Sequence, residues 1–121
     1  MKKILIVEDE PHALETLQDR LEFEGYEIIT AEDGETALAK ARGESLDLII
    51  LDVMLPKMDG RKVCRLLKFD EKLRHIHIIM LTARAQQSDI ELGKEVGADA
   101  YITKPFDMNI LLAKIRELIL S

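Results

Sequence analysis

The chain has 121 residues, 47% of them hydrophobic and 33% charged, with a formal net charge of −6. That length suits one domain with a real core, and the balance is that of a globular protein rather than a disordered or fibrous one. The acidic charge argues against direct binding to nucleic acid or to an anionic membrane, since both reward a basic face. The single cysteine, Cys64, excludes an internal disulfide and reads as a small core residue.

The first expected strand is Lys3–Val7, a short apolar run. It is too short for the apolar region of a secretory signal, and acids follow it at once. After Glu8-Asp9-Glu10, Pro11 suits a first helical turn, Leu14, Leu17 and Leu21 recur on one face, and Gly25 stops the helix. The negative charge of Glu10 suits that helix start. Glu27–Ala31 is the second strand. Asp33 caps a second helix carrying Ala37, Leu38 and Ala41, with Gly43 as stop. Asp47–Leu51 is the third strand and delivers Asp52. Asp59-Gly60 opens a third helix with Val63, Leu66 and Leu67 inward. Its other residues include Arg61, Lys62, Arg65 and Lys68, a basic face expected to be simply solvated. His77–Leu81 is the fourth strand and delivers Thr82-Ala83. A fourth helix is expected from about Ser88 to Gly97, then a fifth strand at Ala100–Thr103 leading to Lys104-Pro105. Asp107 caps a fifth helix that runs to the C-terminus, apolar more than half way round, with Leu111, Ile115 and Leu118 as its core stripe. No apolar run approaches the ~18 residues of a membrane helix, so the expected location is the cytoplasm. His12, His75 and His77 have no metal-ligand spacing.

Five βα units in succession imply a parallel sheet covered by helices on both faces. Right-handed crossovers then leave only a few doubly wound arrangements. No linker, repeat or composition break interrupts residues 1–121, so the expectation is one domain. In such sheets the ligand site lies beyond the carboxyl ends of the strands. Those ends deliver Glu8, Asp9, Glu10, Asp52, Thr82 and Lys104. Carboxylates at close range raise each other's pKa, and a hard divalent cation removes the conflict. Few ligands, all oxygen, point to Mg²⁺ shared with a phosphate. An aspartate can serve as a nucleophile and form an aspartyl phosphate. A lysine and a hydroxyl can then contact the phosphoryl oxygens.

Four segments lie in order at these strand ends: ILIVEDE (4–10), LIILDVMLPKMDG (48–60), IIMLTA (78–83) and GADAYITKPF (97–106). Through them the whole chain resembles the response-regulator receiver domain of two-component signalling, of the chemotaxis-receiver kind. The resemblance implies an α/β, flavodoxin-like, doubly wound five-stranded parallel sheet of order 2-1-3-4-5 with five flanking helices. It implies Asp52 as phosphoacceptor, Asp9 as a direct Mg²⁺ ligand, Glu8 as one acting through water, and the backbone carbonyl of Met54 completing the set. Thr82 would be the switch hydroxyl, Lys104 the cation on the phosphoryl group and Tyr101 the aromatic switch. A cis Lys104–Pro105 bond would shape the loop, making Pro105 part of the site. Glu8 stands where many relatives carry aspartate, and Met54 and Arg84 occupy positions that tune phosphoryl lifetime.

The implied partners are a histidine kinase or phosphotransfer protein and a downstream output protein or domain. A homodimer could form through the face of the fourth helix, fifth strand and fifth helix, with Asp99 and Arg116 contributing charges. No direct nucleic-acid or membrane contact is expected. The chain should accept phosphate without being an enzyme. Met54 sits two residues past Asp52, where phosphatases that use an aspartyl phosphate often carry a second aspartate. A flavodoxin-like cofactor binder would need a Ser/Thr/Gly-rich phosphate loop after the first strand, and a dinucleotide fold its glycine fingerprint. This chain has neither.

Overall fold

The computed structural model describes residues 1–83 and 97–120. Its strands are Lys3–Val7 (β1), Glu27–Ala31 (β2), Leu48–Asp52 (β3), His77–Thr82 (β4) and Ala100–Thr103 (β5), all paired in parallel in the order β2-β1-β3-β4-β5. The helices among the described residues are Pro11–Phe23 (α1), Gly34–Gly43 (α2), Gly60–Lys68 (α3) and Met108–Leu120 (α4). That is four helices rather than the five expected. The helix expected from Ser88 falls on residues 84–96, as does Arg84, and both lie outside the described residues. None of the described helices is long and apolar enough to cross a membrane.

The continuous apolar runs of β1 and β3 follow from their place in the middle of the sheet. Successive side chains of a strand point to opposite faces. Leu5, Val7, Ile49 and Leu51 pack on one face against Ala37, Leu38 and Ala41 of α2 and Val63, Cys64 and Leu67 of α3. Ile4, Ile6, Leu48 and Ile50 pack on the other against Leu17 and Leu21 of α1 and Leu111, Leu112 and Ile115 of α4. Every residue from Ile4 to Val7 and from Leu48 to Asp52 is buried. Each helix start is held by a carboxylate that satisfies otherwise orphaned N–H groups. Glu10 accepts from His12 and Ala13, Asp33 from Thr36, Asp59 from Arg61 and Asp107 from Asn109. These hydrogen bonds hold the Glu10 and Asp33 carboxyls below their usual range. Gly25 ends the first helix at φ 98°, a conformation that side chains rarely adopt.

Several boundaries differ from the sequence expectation. β3 starts at Leu48 and ends at Asp52, one residue later than expected. Asp47 sits outside it as a clasp on β1: its Oδ2 accepts the Lys3 N–H at 2.8 Å, and its own N–H donates to the Lys3 carbonyl. β4 runs on to Thr82, which faces Thr103 across the ladder. On α3 the inward residues are Val63, Cys64 and Leu67, whereas Leu66 is 41% exposed. The helix is short, and the stripe that reaches the sheet is too narrow for a fourth apolar position. On α4, Leu112 and Ile119 join Leu111 and Ile115 in the core, and Ile110 is exposed.

Cys64 lies fully buried against β3, and burial pushes its thiol up to about 12 from an ordinary value of 9.0. As pH rises, the unfolded chain therefore loses this proton first, and the cysteine opposes folding progressively above pH 9. A water-soluble thiol reagent at pH 8 should modify Cys64 at the rate of global unfolding rather than at the rate of a free thiol. Measured labelling at the free-thiol rate in the native protein would contradict this burial.

Candidate functional site

Val7 of β1 faces Leu51 of β3 across the ladder. One step further along each strand stand Glu8 and Asp52, so the two carboxylates emerge side by side at the carboxyl rim. Both are buried, Glu8 at 2% and Asp52 at 5% relative exposure. Buried carboxylates need partners, and these have them. Glu8 Oε2 accepts the N–H groups of Asp9 at 3.0 Å and Glu10 at 3.4 Å. Asp52 Oδ1 accepts the Met54 N–H at 2.9 Å. Lys104, just beyond β5, donates from Nζ to Asp52 Oδ2 at 2.6 Å and to Glu8 Oε1 at 3.1 Å. Three chain segments far apart in sequence thus close on one ammonium. Asp9 is exposed at the mouth, and carboxylate oxygens of Glu8, Asp9 and Asp52 lie within 4.8 Å of one another.

The electrostatics of this group follow from its crowding. Desolvation raises the pKa of Glu8, and the adjacent Asp52 carboxylate raises it further, against a smaller opposing pull from Lys104. Burial alone would lower the pKa of Lys104, but its bonds to Asp52 and Glu8 outweigh that and leave it raised. Among the described residues, three carboxylates stand beside one ammonium, a formal charge of −2 in a largely buried group. Such an arrangement invites a divalent cation.

The remaining expected site residues surround this cluster. Thr82 is buried at the end of β4, next to Leu81, which pairs with Asp52. Its carbonyl accepts the Lys104 N–H at 2.6 Å, so Thr82 and Lys104 share one backbone clasp. Lys104–Pro105 is cis, and Pro105 is exposed on the rim. Met54 leaves its side chain 71% exposed while its N–H orients Asp52. Tyr101 stands apart from the acids, opposite Met80 on β5, and packs half-buried against the α2–α3 side of the core. A cavity of about 520 Å³ opens beside the cluster, walled by Glu8, Leu81, Ala83, Lys104, Pro105 and Phe106 among others.

Two glycines are structural parts of this site: Gly60, which the sequence marks only as part of a helix start, and Gly34. A Cβ on Gly60 would stand 2.3 Å from the Asp52 carbonyl oxygen and 2.9 Å from Val53 Cα, and the Gly60 N–H donates to the Val53 carbonyl. Only glycine lets the loop after β3 fold back this tightly on the backbone of Asp52. A Cβ on Gly34 would meet Met58 Cβ and Val63 Cγ2 at 2.8 Å, so the start of α2 presses the same loop from the side. Within the loop, Lys57 takes φ 67° while the Met58 N–H reaches the Pro56 carbonyl at 2.7 Å, a γ-turn. The Asp59-Gly60 pair was legible as a helix start; the close approach was not.

Asp99 and Arg116, expected to offer charges to a partner copy, are engaged within the chain. Asp99 binds Lys68 Nζ at 3.0 Å and the Ile78 N–H at 2.7 Å, and Arg116 reaches Glu24, just past the end of α1.

The family model for the response regulator receiver domain matches residues 4–116. The chain is 50% identical over 118 residues to the alkaline phosphatase synthesis transcriptional regulatory protein PhoP of Bacillus subtilis, covering 98% of this chain and 48% of PhoP. It thus spans about half the length of that relative, and likewise of the transcriptional regulator RpaA of Synechocystis. Among solved structures, the response regulator TrrA of Thermotoga maritima, in complex with Mg²⁺ and BeF, superposes with a TM-score of 0.87 at 40% identity, covering 98% of this chain and 99% of TrrA. The receiver domain of a sensor histidine kinase from Pseudomonas aeruginosa, with a magnesium ion in its active-site cleft, gives a TM-score of 0.92 at 33% identity over 99% of this chain and 98% of that domain.

Gly60→Ala should destabilise the protein by about 1–3 kcal/mol, because its methyl group must displace main chain rather than a mobile side chain. Urea unfolding monitored by circular dichroism checks this, with Gly43→Ala as the comparison, since a Cβ on Gly43 meets nothing within 4 Å.

Proposed function

This chain belongs to the family of response regulator receiver domains, and on that premise we propose that Asp52 accepts a phosphoryl group from a phosphohistidine and so switches a partner-binding surface. The observation that carries the reading is the cluster of the Glu8, Asp9 and Asp52 carboxylates at the rim of a buried parallel sheet, with Lys104 bonded to Glu8 and Asp52. Asp52 is held for attack. Met54 N–H fixes Oδ1 and Lys104 fixes Oδ2, so the plane of the carboxylate is set before a donor arrives. As a bond forms from an Asp52 oxygen to phosphorus, the phosphorus–nitrogen bond of the donor breaks and its electron pair returns to the imidazole, which takes up a proton. Lys104 stays beside the developing charge on the phosphoryl oxygens. Thr82, at the adjacent strand end, supplies a hydroxyl donor to the same group.

The donor set fits a magnesium ion: hard oxygen ligands only, few in number, in a group whose formal charge a divalent cation neutralises. Glu8, Asp9, Asp52 and the Met54 carbonyl would hold it, and when bound it supplies Lewis-acid neutralisation of phosphoryl charge. The magnesium-bound relatives from T. maritima and P. aeruginosa support the same assignment. Phosphorylation of Asp52 adds acceptor oxygens and negative charge, which draws Thr82 and Lys104 together. The shift can be no larger than the difference in interaction energy between the two states. Tyr101, beside β4 and half-buried, is the aromatic that reports this movement to the surface. The proposed partners are a histidine kinase or phosphotransfer protein upstream and an output domain or protein downstream, as the transcriptional regulators among the relatives suggest. Residues 1–121 act in this as one receiver unit, stoichiometrically rather than by turnover.

A small-molecule phosphodonor with Mg²⁺ should label the protein once, as a mass increase of one phosphoryl group, and Asp52→Asn should remain unlabelled. Equal labelling of the variant would remove Asp52 from its role. Millimolar Mg²⁺ should raise the melting temperature by a few degrees, since it binds the folded acid cluster and not the unfolded chain. Differential scanning fluorimetry measures this, and Asp9→Asn should reduce the shift.

A further inference from the structure

The positive charge of this acidic protein is concentrated around α3. Residues 57–74 contain seven Lys and Arg (57, 61, 62, 65, 68, 72, 74) and three Asp and Glu (59, 70, 71), a net +4. With the whole chain at −6, all other residues together carry −10. Much of this cationic group is already neutralised by the fold. Lys57 pairs with Asp33, Arg61 with Asp59 and Lys68 with Asp99. The side chains of Lys62 and Arg65 make no ion pair or hydrogen bond among the described residues.

Those two cations share a helical face with two large apolar side chains that the core does not use. Positions 62, 65, 66 and 69 follow the three- and four-residue spacing that stacks side chains along one face. Leu66 is 41% and Phe69 76% exposed, while Val63, Cys64 and Leu67 take the inward stripe. An exposed aromatic beside an exposed leucine, ringed by unpaired cations, is a pairing that solvation alone does not favour. None of these four residues contributes to the acid cluster.

We propose that the outer face of α3 and its C-cap, formed by Lys62, Arg65, Leu66 and Phe69, is a docking surface for an acidic protein segment that also presents apolar side chains. Carboxylates of the segment meet Lys62 and Arg65, and its apolar residues cover Leu66 and Phe69. Charge complementarity selects this occupant. A polyanionic duplex or an anionic bilayer extends well past a nine-residue helix and would meet the field of the remaining −10 charge at short range. A short acidic segment contacts the local patch alone. The surface stands whether or not Asp52 is phosphorylated, and it adds a contact separate from the switch.

The test is a titration of isotope-labelled protein by nuclear magnetic resonance with a synthetic helical peptide in which glutamates flank leucine and phenylalanine. A lysine-for-glutamate version, anionic phosphatidylserine vesicles and a short DNA duplex are run in parallel. The acidic peptide should shift the amides of Lys62, Arg65, Leu66 and Phe69 and leave β5 unperturbed. The double charge reversal Lys62→Glu with Arg65→Glu should weaken binding by about tenfold or more, and Phe69→Ser should weaken it independently. Both variants alter exposed positions, and unchanged thermal melting verifies their fold. Absent shifts on α3, equal binding by the charge-reversed protein, preference for the basic peptide, for vesicles or for duplex, or self-association through α3 in sedimentation would each overturn the proposal.

Discussion

Two carboxylates are buried side by side at the end of a hydrophobic sheet, and a single ammonium answers them both. Removing charges from water costs several kcal/mol per ion, recovered only with close and complete hydrogen bonding. Here the requirement is met by five contacts: three backbone N–H groups on the oxygens of Glu8 and Asp52, and two bonds from Lys104. The geometry leaves little freedom. β1 must neighbour β3 in register, so that Glu8 falls beside Asp52, and the turn after β5 must return Lys104 over both. The order β2-β1-β3-β4-β5 is the arrangement that places these strand ends together.

The surplus negative charge among the described residues distinguishes this group from a structural ion pair. A sheet end that needed only stability would be better served by apolar residues or a matched pair. Instead a third carboxylate, Asp9, lies at the mouth within 4.8 Å, and among the described residues the group remains short of positive charge. Such unsatisfied electrostatic demand is the usual signature of a binding or reacting centre. The cost is offset by rigid surroundings. Gly60 and Gly34 allow the loop after β3 to lie directly on the backbone of Asp52, and the γ-turn at Lys57 closes that loop in a few residues.

Helix α3 shows how one short element serves two purposes. Its start is pinned to the main chain of Asp52 through Gly60, and its inward face fills the core beside β3 with Val63, Cys64 and Leu67. Nine residues afford only a narrow inner stripe, so Leu66 and Phe69 remain outside. Periodicity alone assigned Leu66 to the core, because three apolar residues in five positions fit a helical stripe. The spacing could not tell which side of that stripe the sheet would cover.

Much was legible in the residues themselves. Ile4–Val7 and Leu48–Leu51 are unbroken apolar runs because both faces of a central parallel strand are covered, and that requirement is local enough to read from the chain. The carboxylates, the threonine and the lysine at strand ends were legible for a similar reason: each is a polar residue placed where an apolar run stops. Asp33, Asp59 and Asp107 were readable as caps because capping acts within one helical turn. What only the tertiary structure decided are the relations between segments distant in the chain. These include the single ammonium shared by Glu8 and Asp52, the close approach of Gly60 to the main chain of Asp52, and the capture of Asp99 by Lys68 and of Arg116 by Glu24. Each depends on distances across the fold that no local pattern encodes. A sequence records which groups reach the rim of the sheet; the packing of the sheet determines which of them meet.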